Sequence, residues 1–226
     1  DGSTIVFASS ASDLDVNDLN GGNADIFVHD VVADTNTLIT RGLPGSVSGN
    51  HHSTEAIISA SGTKVVFTSR ASNLVEGVDN RRTDLFAFDK ETGEVKLVSK
   101  NLDGGPSSSG FNSNPAVSAD GRFIVFGSSS SDLVTNDSNS TSDVFLYDTT
   151  TEETILVSRS ATPNVDDSAN ASSGGAVISQ DGSRILFASS ATDLDVGVAD
   201  TNGHSDVFLY DVVTREVTMI SRIAAG

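Results

Sequence analysis

The 226-residue sequence has no cysteine, no tryptophan, few basic residues and no long hydrophobic run, and each shortage excludes a class of protein. Without cysteine the chain forms no disulfides, thiolate zinc sites or cysteine nucleophiles. No run of about 18 apolar residues exists, so no segment is expected to insert into a membrane. Thirteen Lys and Arg against 31 Asp and Glu give a net charge of −18. A nucleic-acid partner is therefore not expected, because phosphate contacts need a basic face.

The sequence instead contains a fourfold internal repeat. Copies of the pattern IVFASSASDL place phenylalanines 59–61 residues apart, at Phe7, Phe67, Phe126 and Phe187. A block of the form DVFLYD follows each copy and begins at Asp25, Asp84, Asp143 and Asp206. A third block such as KLVS closes each unit, and a block such as AVSADG precedes copies two to four. Each full unit thus holds four short β-branched and aromatic runs, called runs A to D in chain order.

These runs predict an all-β fold. The A–B and C–D links are short and rich in turn residues, whereas the B–C and D–A links are long and polar. Four-stranded antiparallel units stacked face to face build a β-propeller, so we predict about four blades in one domain spanning 1–226. The predicted blade units are approximately 1–50, 51–110, 111–172 and 173–226, and the first lacks its inner strand.

The pattern S-A-D-G-R-x-I-V-F-x-S, followed by S-D-L and D-V-F-L-Y-D, resembles the WD40-like (PD40, TolB-type) β-propeller repeats over essentially the whole chain. The resemblance implies a propeller with six or more blades that serves as a protein-interaction scaffold or as a gating domain attached to a peptidase. Only about four repeats are present, so we expect a portion of a larger propeller. The alternatives are a four-bladed ring or blades completed by a second chain.

The long B–C loops carry the one recurring chemistry, a set of Asp, Asn and Gly residues. Calcium takes six to eight oxygen ligands, and D-x-N-G segments let carboxylates, amides and a carbonyl converge on one ion. We therefore predict Ca²⁺ sites in blades one, three and four. In blade two, Arg81 and Arg82 are predicted to supply positive charge instead. The candidate ligands are Asp13, Asp15, Asp18, Asn20 and Asp25 in blade one, Asp137, Asn139 and Asp143 in blade three, and Asp193, Asp195, Asp200, Asn202 and Asp206 in blade four.

A purely structural interpretation stands beside the calcium hypothesis. Asp and Asn side chains also cap backbone amides in tight loops. The aspartates that begin run C therefore fit a role as acceptors for neighbouring loop amides. The aspartates that end run C are expected to be turn residues, because Asp is favoured at the first position of a type I turn. These four residues are Asp30, Asp89, Asp148 and Asp211.

No catalytic motif is present: the sequence has no G-x-S-x-G, no H-E-x-x-H, no P-loop and no dinucleotide fingerprint. We therefore predict a non-catalytic propeller scaffold that is extracellular, at the cell surface or periplasmic, and that presents an acidic loop face to an unidentified protein partner. The first alternative is the propeller domain of a larger hydrolase or peptidase. The second is a carbohydrate-binding propeller, for which Phe111 is the single loop aromatic candidate.

Overall fold

The computed structural model describes residues 2–44, 46–79, 82–108, 111–161, 167–195, 197–198 and 202–222. These residues form fifteen strands and no helix. Within the same ranges there is accordingly no helical segment with the length and apolarity needed to cross a membrane.

The strands group into one three-stranded and three four-stranded antiparallel sheets, one for each sequence repeat. Blade one contains β1 (Thr4–Ser9), β2 (Asp25–Asp30) and β3 (Thr35–Leu38). Blade two contains β4 (Ser53–Ile58), β5 (Lys64–Ser69), β6 (Asp84–Asp89) and β7 (Val95–Leu97). Blade three contains β8 (Asn112–Val117), β9 (Phe123–Ser128), β10 (Asp143–Asp148) and β11 (Glu153–Leu156). Blade four contains β12 (Ser173–Ile178), β13 (Arg184–Ser189), β14 (Asp206–Asp211) and β15 (Val217–Met219).

Within every sheet the strands follow chain order, so each blade is a simple meander. The central pair of strands is held in register by a cross-strand pair of phenylalanines, such as Phe126 opposite Phe145. Their rings stack with centroids 5.7 Å apart, and each of the other blades repeats the arrangement at 5.6–5.7 Å. The recurring phenylalanines of the sequence are therefore the structural centre of each sheet.

The chain divides into two compact units, Asp1–Ser113 and Asn114–Gly226. In the first unit, Ile26, Val28 and Ile39 of blade one pack against a blade-two face that includes Val65 and Phe67. In the second unit, blade three packs against blade four in the same way, through Val125, Val144, Leu146 and Val157 on one side and Ile185, Phe187, Phe208, Tyr210 and Met219 on the other. Face-to-face burial of apolar sheet surface is thus the main stabilising term within each unit.

The short turns follow the sequence prediction. The aspartate that ends each run C accepts N–H groups from the turn that follows it, as when Asp89 Oδ1 accepts from Glu91 and Thr92 at 2.8 and 3.0 Å. Asp30, Asp148 and Asp211 make the equivalent bonds. All four C–D turns therefore use the same local cap, which satisfies backbone donors that the strands leave unpaired.

Candidate functional site

The aspartate that begins run C accepts hydrogen bonds at the first residue of that strand in all four blades. In blade three, the Ser158 hydroxyl donates to Asp143 Oδ1 at 2.6 Å and accepts the Val144 N–H at 3.0 Å. The same two bonds recur at Asp25 with Thr40, at Asp84 with Ser99 and at Asp206 with Ser221. The principal donor is thus a hydroxyl that follows the last strand, whereas the sequence suggested loop amides.

Two further predicted ligands brace the B–C loop against the outer strand. Asp15 Oδ1 accepts the Asn17 N–H at 2.9 Å, and its Oδ2 accepts the Leu38 N–H at 3.0 Å. Asp195 repeats this arrangement with the Gly197 N–H at 2.7 Å and with a backbone N–H of the outer strand. Burial raises the pKa of Asp15, but its hydrogen bonds and the Arg41 charge outweigh burial and lower the pKa overall.

The predicted asparagine ligands also hold the loop together. Asn20 Nδ2 donates to Asp25 and to the Gly49 carbonyl at 2.8 Å. In blade three, Asn139 Nδ2 donates to the Ala169 carbonyl at 2.7 Å, and this bond is the equivalent of the one from Asn20 to Gly49. Asn202 Nδ2 donates to Asp206 at 2.9 Å. In blades one and four the amide ties the B–C loop to the start of run C, and in blades one and three it ties the loop to the following D–A link.

The outermost predicted ligands have different positions. Asp13 is exposed. Asp193 Oδ1 accepts the Asn170 N–H at 3.0 Å, so it joins the loop to the D–A link that enters its own blade. Asp200 lies outside the described residues, as does Arg81, while Arg82 is exposed. The proposed charge compensation in blade two therefore stays a prediction.

Asp18 and Asp137 differ from all of these residues because they are buried without matching donors. Asp18 is 2% exposed and Asp137 is 8% exposed. No described residue donates a hydrogen bond to Asp18 Oδ1 or to either carboxylate oxygen of Asp137. Counting from the leucine of the S-D-L motif, the same position is Val78 in blade two and Val198 in blade four. A carboxylate thus occupies an apolar site in two blades of the four.

Electrostatics connects each of these carboxylates to the run C aspartate beside it. Burial, with a contribution from the charge of Asp137, raises the pKa of Asp143 to about 6. Burial likewise raises the pKa of Asp25 to about 6, and the charge of Asp18 contributes. In blade four the pKa of Asp206 is lowered, chiefly by hydrogen bonds from Ser221 and Asn202. Blades one and three therefore hold ionisable pairs in a poorly solvated setting that blade four lacks.

Three residues of this setting could not be predicted from the sequence, because they lie in the D–A links, where no repeat is visible. The Ser168 hydroxyl accepts the Ser138 and Asn139 N–H groups at 3.0 and 3.1 Å. Ser48 takes the equivalent place in blade one and accepts the Leu19 N–H at 3.2 Å. Asp167 adds a further nearby charge that raises the pKa of Asp137. Only the folded chain brings these residues beside the B–C loop.

The described residues contain no group of three or more His, Cys, Asp and Glu side chains placed to hold one metal ion. The calcium prediction concerns a mixed set of carboxylate, amide and carbonyl oxygens, so it stays a prediction. The loop aromatic Phe111 is 75% exposed.

Comparisons with known proteins support the fold. A scan of protein-family models finds no match to this chain, and a search of curated proteins finds none either. The structure is similar to a TolB protein from Agrobacterium tumefaciens, with a TM-score of 0.53 and 18% identity over 96% of this chain and 61% of that one. It is also similar to TolB from Acinetobacter baumannii, with a TM-score of 0.50 and 18% identity over 96% of this chain and 40% of that one. A third similar structure is the tricorn protease, with a TM-score of 0.55 and 12% identity over 93% of this chain and 17% of that one.

These similarities confirm the prediction of an all-β propeller fold with TolB-type blades. The chain spans about three fifths or less of the length of each of these structures. The set includes both TolB proteins and a protease, so the fold alone does not assign an activity.

Proposed function

We propose that this chain is a non-catalytic propeller module that binds protein through one exposed sheet face of blade four. Four apolar side chains share that face: Val177, Leu186, Val207 and Ile220 are 54%, 40%, 41% and 48% exposed. Contiguous exposed apolar surface of this kind marks interaction sites on soluble proteins. The absence of any recognised catalytic motif supports a binding role.

The equivalent face of the other blades indicates what covers it. In blade three the matching residues Val125, Val144 and Val157 are fully buried, and they pack against blade four. In blade one the matching residues Ile26 and Ile39 are buried against blade two. In both cases the partner is the Phe-bearing face of another blade, so the exposed face of blade four suits a sheet of the same type.

A second copy of the chain carries a suitable sheet. Ile5 on the Phe-bearing face of blade one is 50% exposed, whereas its counterparts Val65 and Ile185 are fully buried. We therefore infer that a sheet of this type covers the face, and for the 226-residue chain on its own the sheet available is blade one of a second copy. Pairing of two unlike faces is a heterologous contact. Two copies form a closed dimer only if blade one of each copy packs against blade four of the other; otherwise the contact builds larger rings or open chains.

Light scattering during size-exclusion chromatography tests this proposal. The wild-type chain should associate as its concentration rises, and Leu186→Glu should remain monomeric because a carboxylate would be buried in the contact. The control is Val213→Glu, at a residue 83% exposed in the C–D turn of the same blade, which should leave association unchanged. A wild-type chain that stays monomeric at all concentrations would overturn the proposal.

A propeller domain of a peptidase is the second candidate, and the similarity to the tricorn protease favours it. On this hypothesis the chemistry lies on a separate catalytic domain. A coding sequence that joins these blades to a domain with a nucleophile elbow would support it, whereas binding of a partner by blades with no such domain would support the scaffold.

We also propose an extracellular, cell-surface or periplasmic location. The acidic composition and the TolB-type blades support it. Fractionation of the source cells, followed by immunodetection of the chain, tests it: recovery in the cytoplasmic fraction alone would contradict the proposal.

A further inference from the structure

The side chain of Asp137 in blade three is buried without hydrogen-bond donors among the described residues, which is energetically unfavourable for a carboxylate. It is 8% exposed, and no described donor satisfies either of its carboxylate oxygens. The Asn139 N–H and the Ser168 hydroxyl lie close enough to lower its pKa, although burial raises it overall. The Asn139 N–H, however, donates to Ser168 Oγ at 3.1 Å, so it is not directed at the carboxylate.

A second unsatisfied oxygen lies beside Asp137. Asp143 is fully buried, and Ser158 donates to its Oδ1 at 2.6 Å. No described group donates to its Oδ2 with hydrogen-bond geometry, although the Asn139 amide is near enough to lower the pKa of Asp143. Asp137 lies in the B–C loop six residues before Asp143, and its charge contributes to the raised pKa of Asp143. Three buried carboxylate oxygens without a well-placed donor therefore belong to one B–C loop and the first residue of the strand that follows it.

Blade one repeats this arrangement with a different set of atoms. Asp18 is 2% exposed, and its Oδ1 is buried with no donor among the described residues. The Oδ1 of Asn20 is also buried without a donor among the described residues. The Asn20 amide nitrogen donates to Asp25 and to the Gly49 carbonyl, which orients the amide group. The charge of Asp18 raises the pKa of Asp25. Acceptors again outnumber donors at the same place in the fold.

The remaining blades show that the fold itself does not need these carboxylates. Blade two places Val78 at the position, where it is 3% exposed. Blade four places Val198 there, and both oxygens of Asp206 accept hydrogen bonds, one from Asn202 and one from Ser221. The same loop therefore forms around valine or around aspartate.

Buried carboxylates without donors cost several kcal/mol unless a positive charge offsets them. No Lys or Arg forms an ion pair with Asp18 or Asp137 among the ion pairs of the described residues. We propose that blades one and three each bind a calcium ion, through Asp18 and Asn20 in blade one and through Asp137 and Asp143 in blade three. Oxygen-only acceptors favour a hard divalent cation, and backbone carbonyls and water would complete its six to eight ligands.

The proposed calcium sites are fewer than the three predicted from the sequence, and each has fewer side-chain ligands. Blade four is excluded from the proposed sites, and Asp13, Asp15, Asp193 and Asp195 are not ligands in this proposal. It does not depend on the proposed interaction of blade four, so either proposal can fail without the other.

Calorimetric titration of the purified chain with CaCl₂ at neutral pH, after removal of metal with EDTA, tests the proposal. Two sites should be found, with Kd values of roughly 10⁻⁶ to 10⁻³ M. Asp137→Val should reduce the stoichiometry by half, Asp18→Val should do the same, and the double variant should bind no calcium. Valine is chosen because blade two folds with valine at this position.

Two further variants and a melting measurement in EDTA distinguish loss of a calcium site from loss of the fold. Asp13→Asn removes a carboxylate from the same loop of blade one and should leave both sites intact, since Asp13 is exposed. The nearly isosteric Asp137→Asn removes only the charge and should also lose one site. In EDTA each valine variant should melt at or above the wild-type temperature, which shows that it is folded. Absence of binding heat and of any calcium-induced rise in melting temperature in the wild type would overturn the proposal, as would two retained sites in Asp137→Val.

Discussion

Blades one and three place an aspartate where blades two and four place a valine, and in blades one and two the residue at this position closes the same backbone turn. The Asp18 N–H donates to the Asp15 carbonyl at 3.0 Å, and the Val78 N–H donates to the Val75 carbonyl at 3.4 Å. Both side chains are buried. The comparison separates two roles within one loop: the backbone turn builds the blade, and the side chain at this position is left available for chemistry.

Placing the aspartate of blade three at the equivalent position of blade two should have the largest effect on the free energy of unfolding. Val78→Asp buries a carboxylate at a site that is 3% exposed, and we expect the free energy of unfolding to fall by about 2–4 kcal/mol. Urea denaturation in EDTA measures the change. The neighbouring Asp79→Asn, at an exposed position, is the control and should be neutral within about 0.5 kcal/mol. A stable Val78→Asp variant would mean that the loop of any blade can solvate a carboxylate, which would remove the contrast.

The run C aspartates allow a second comparison of the two kinds of blade. In blade two, Asp84 Oδ1 accepts from both Ser99 and Ser107, at 2.9 and 3.2 Å. In blade three, Ser158 is the one hydroxyl that donates to Asp143 among the described residues. We expect Ser158→Ala to cost about 1–3 kcal/mol, because a buried carboxylate oxygen and the Val144 N–H both lose a partner.

Ser99→Ala should cost less in the same urea experiment, since Ser107 continues to donate to Asp84. Equal losses in the two variants would show that the second hydroxyl contributes nothing to blade two.

The repeat made most of the fold predictable. Run boundaries, the meander order and the paired phenylalanines follow from alternating apolar residues and turn chemistry that recur four times, as at Phe126 and Phe145. The loop site was less predictable, because counting back from the run C aspartates pairs Asp137 with Asp200. Alignment from the S-D-L leucine instead pairs Asp137 with Val198, and burial then distinguishes it from the exposed Asp13. The burial of Asp137 depends on contacts with residues of the D–A link such as Ser168, and no pattern in the sequence predicts these contacts.

The inner hairpins offer a smaller contrast between the two valine blades. Gly62 and Gly182 occupy the same turn with φ of 73° and 72°, a region where a Cβ costs about 1 kcal/mol. A Cβ at Gly62 would contact nothing within 4 Å, whereas one at Gly182 would lie 2.7 Å from Phe123 Cδ2. We therefore expect Gly182→Ala to lower the free energy of unfolding by about 1–2 kcal/mol, and Gly62→Ala by about 1 kcal/mol or less. Thermal melts of the two variants compare them directly, and equal losses would mean that the Phe123 ring moves aside freely.

The smallest effect is expected at the outer hairpins, where the two aspartate-bearing blades differ from each other. In blade three Arg122 pairs with Asp148 through Nη2 at 2.8 Å and Nε at 3.2 Å. In blade one the position equivalent to Arg122 is Ser3, which carries no charge. Burial raises the pKa of Asp148, but the hydrogen bonds and charge of Arg122, together with backbone N–H groups of the turn such as that of Thr150, outweigh burial and lower the pKa overall.

Arg122→Ala should therefore raise the pKa of Asp148 and should cost about 0.2–1 kcal/mol at pH 7, because an ion pair with an arginine about half exposed is weak. A lowered carboxyl pKa stabilises the fold at pH values above the unfolded-state pKa near 4, and this contribution is lost as the pH falls from there through the lower folded-state pKa. The variant should thus lose less stability than the wild type between pH 5 and pH 2. Carboxyl chemical shifts of Asp148 and Asp30, followed by NMR across that range, measure the change. A shift of the Asp30 titration, in the blade without the arginine, would show that the effect is a general change in charge rather than loss of this pair.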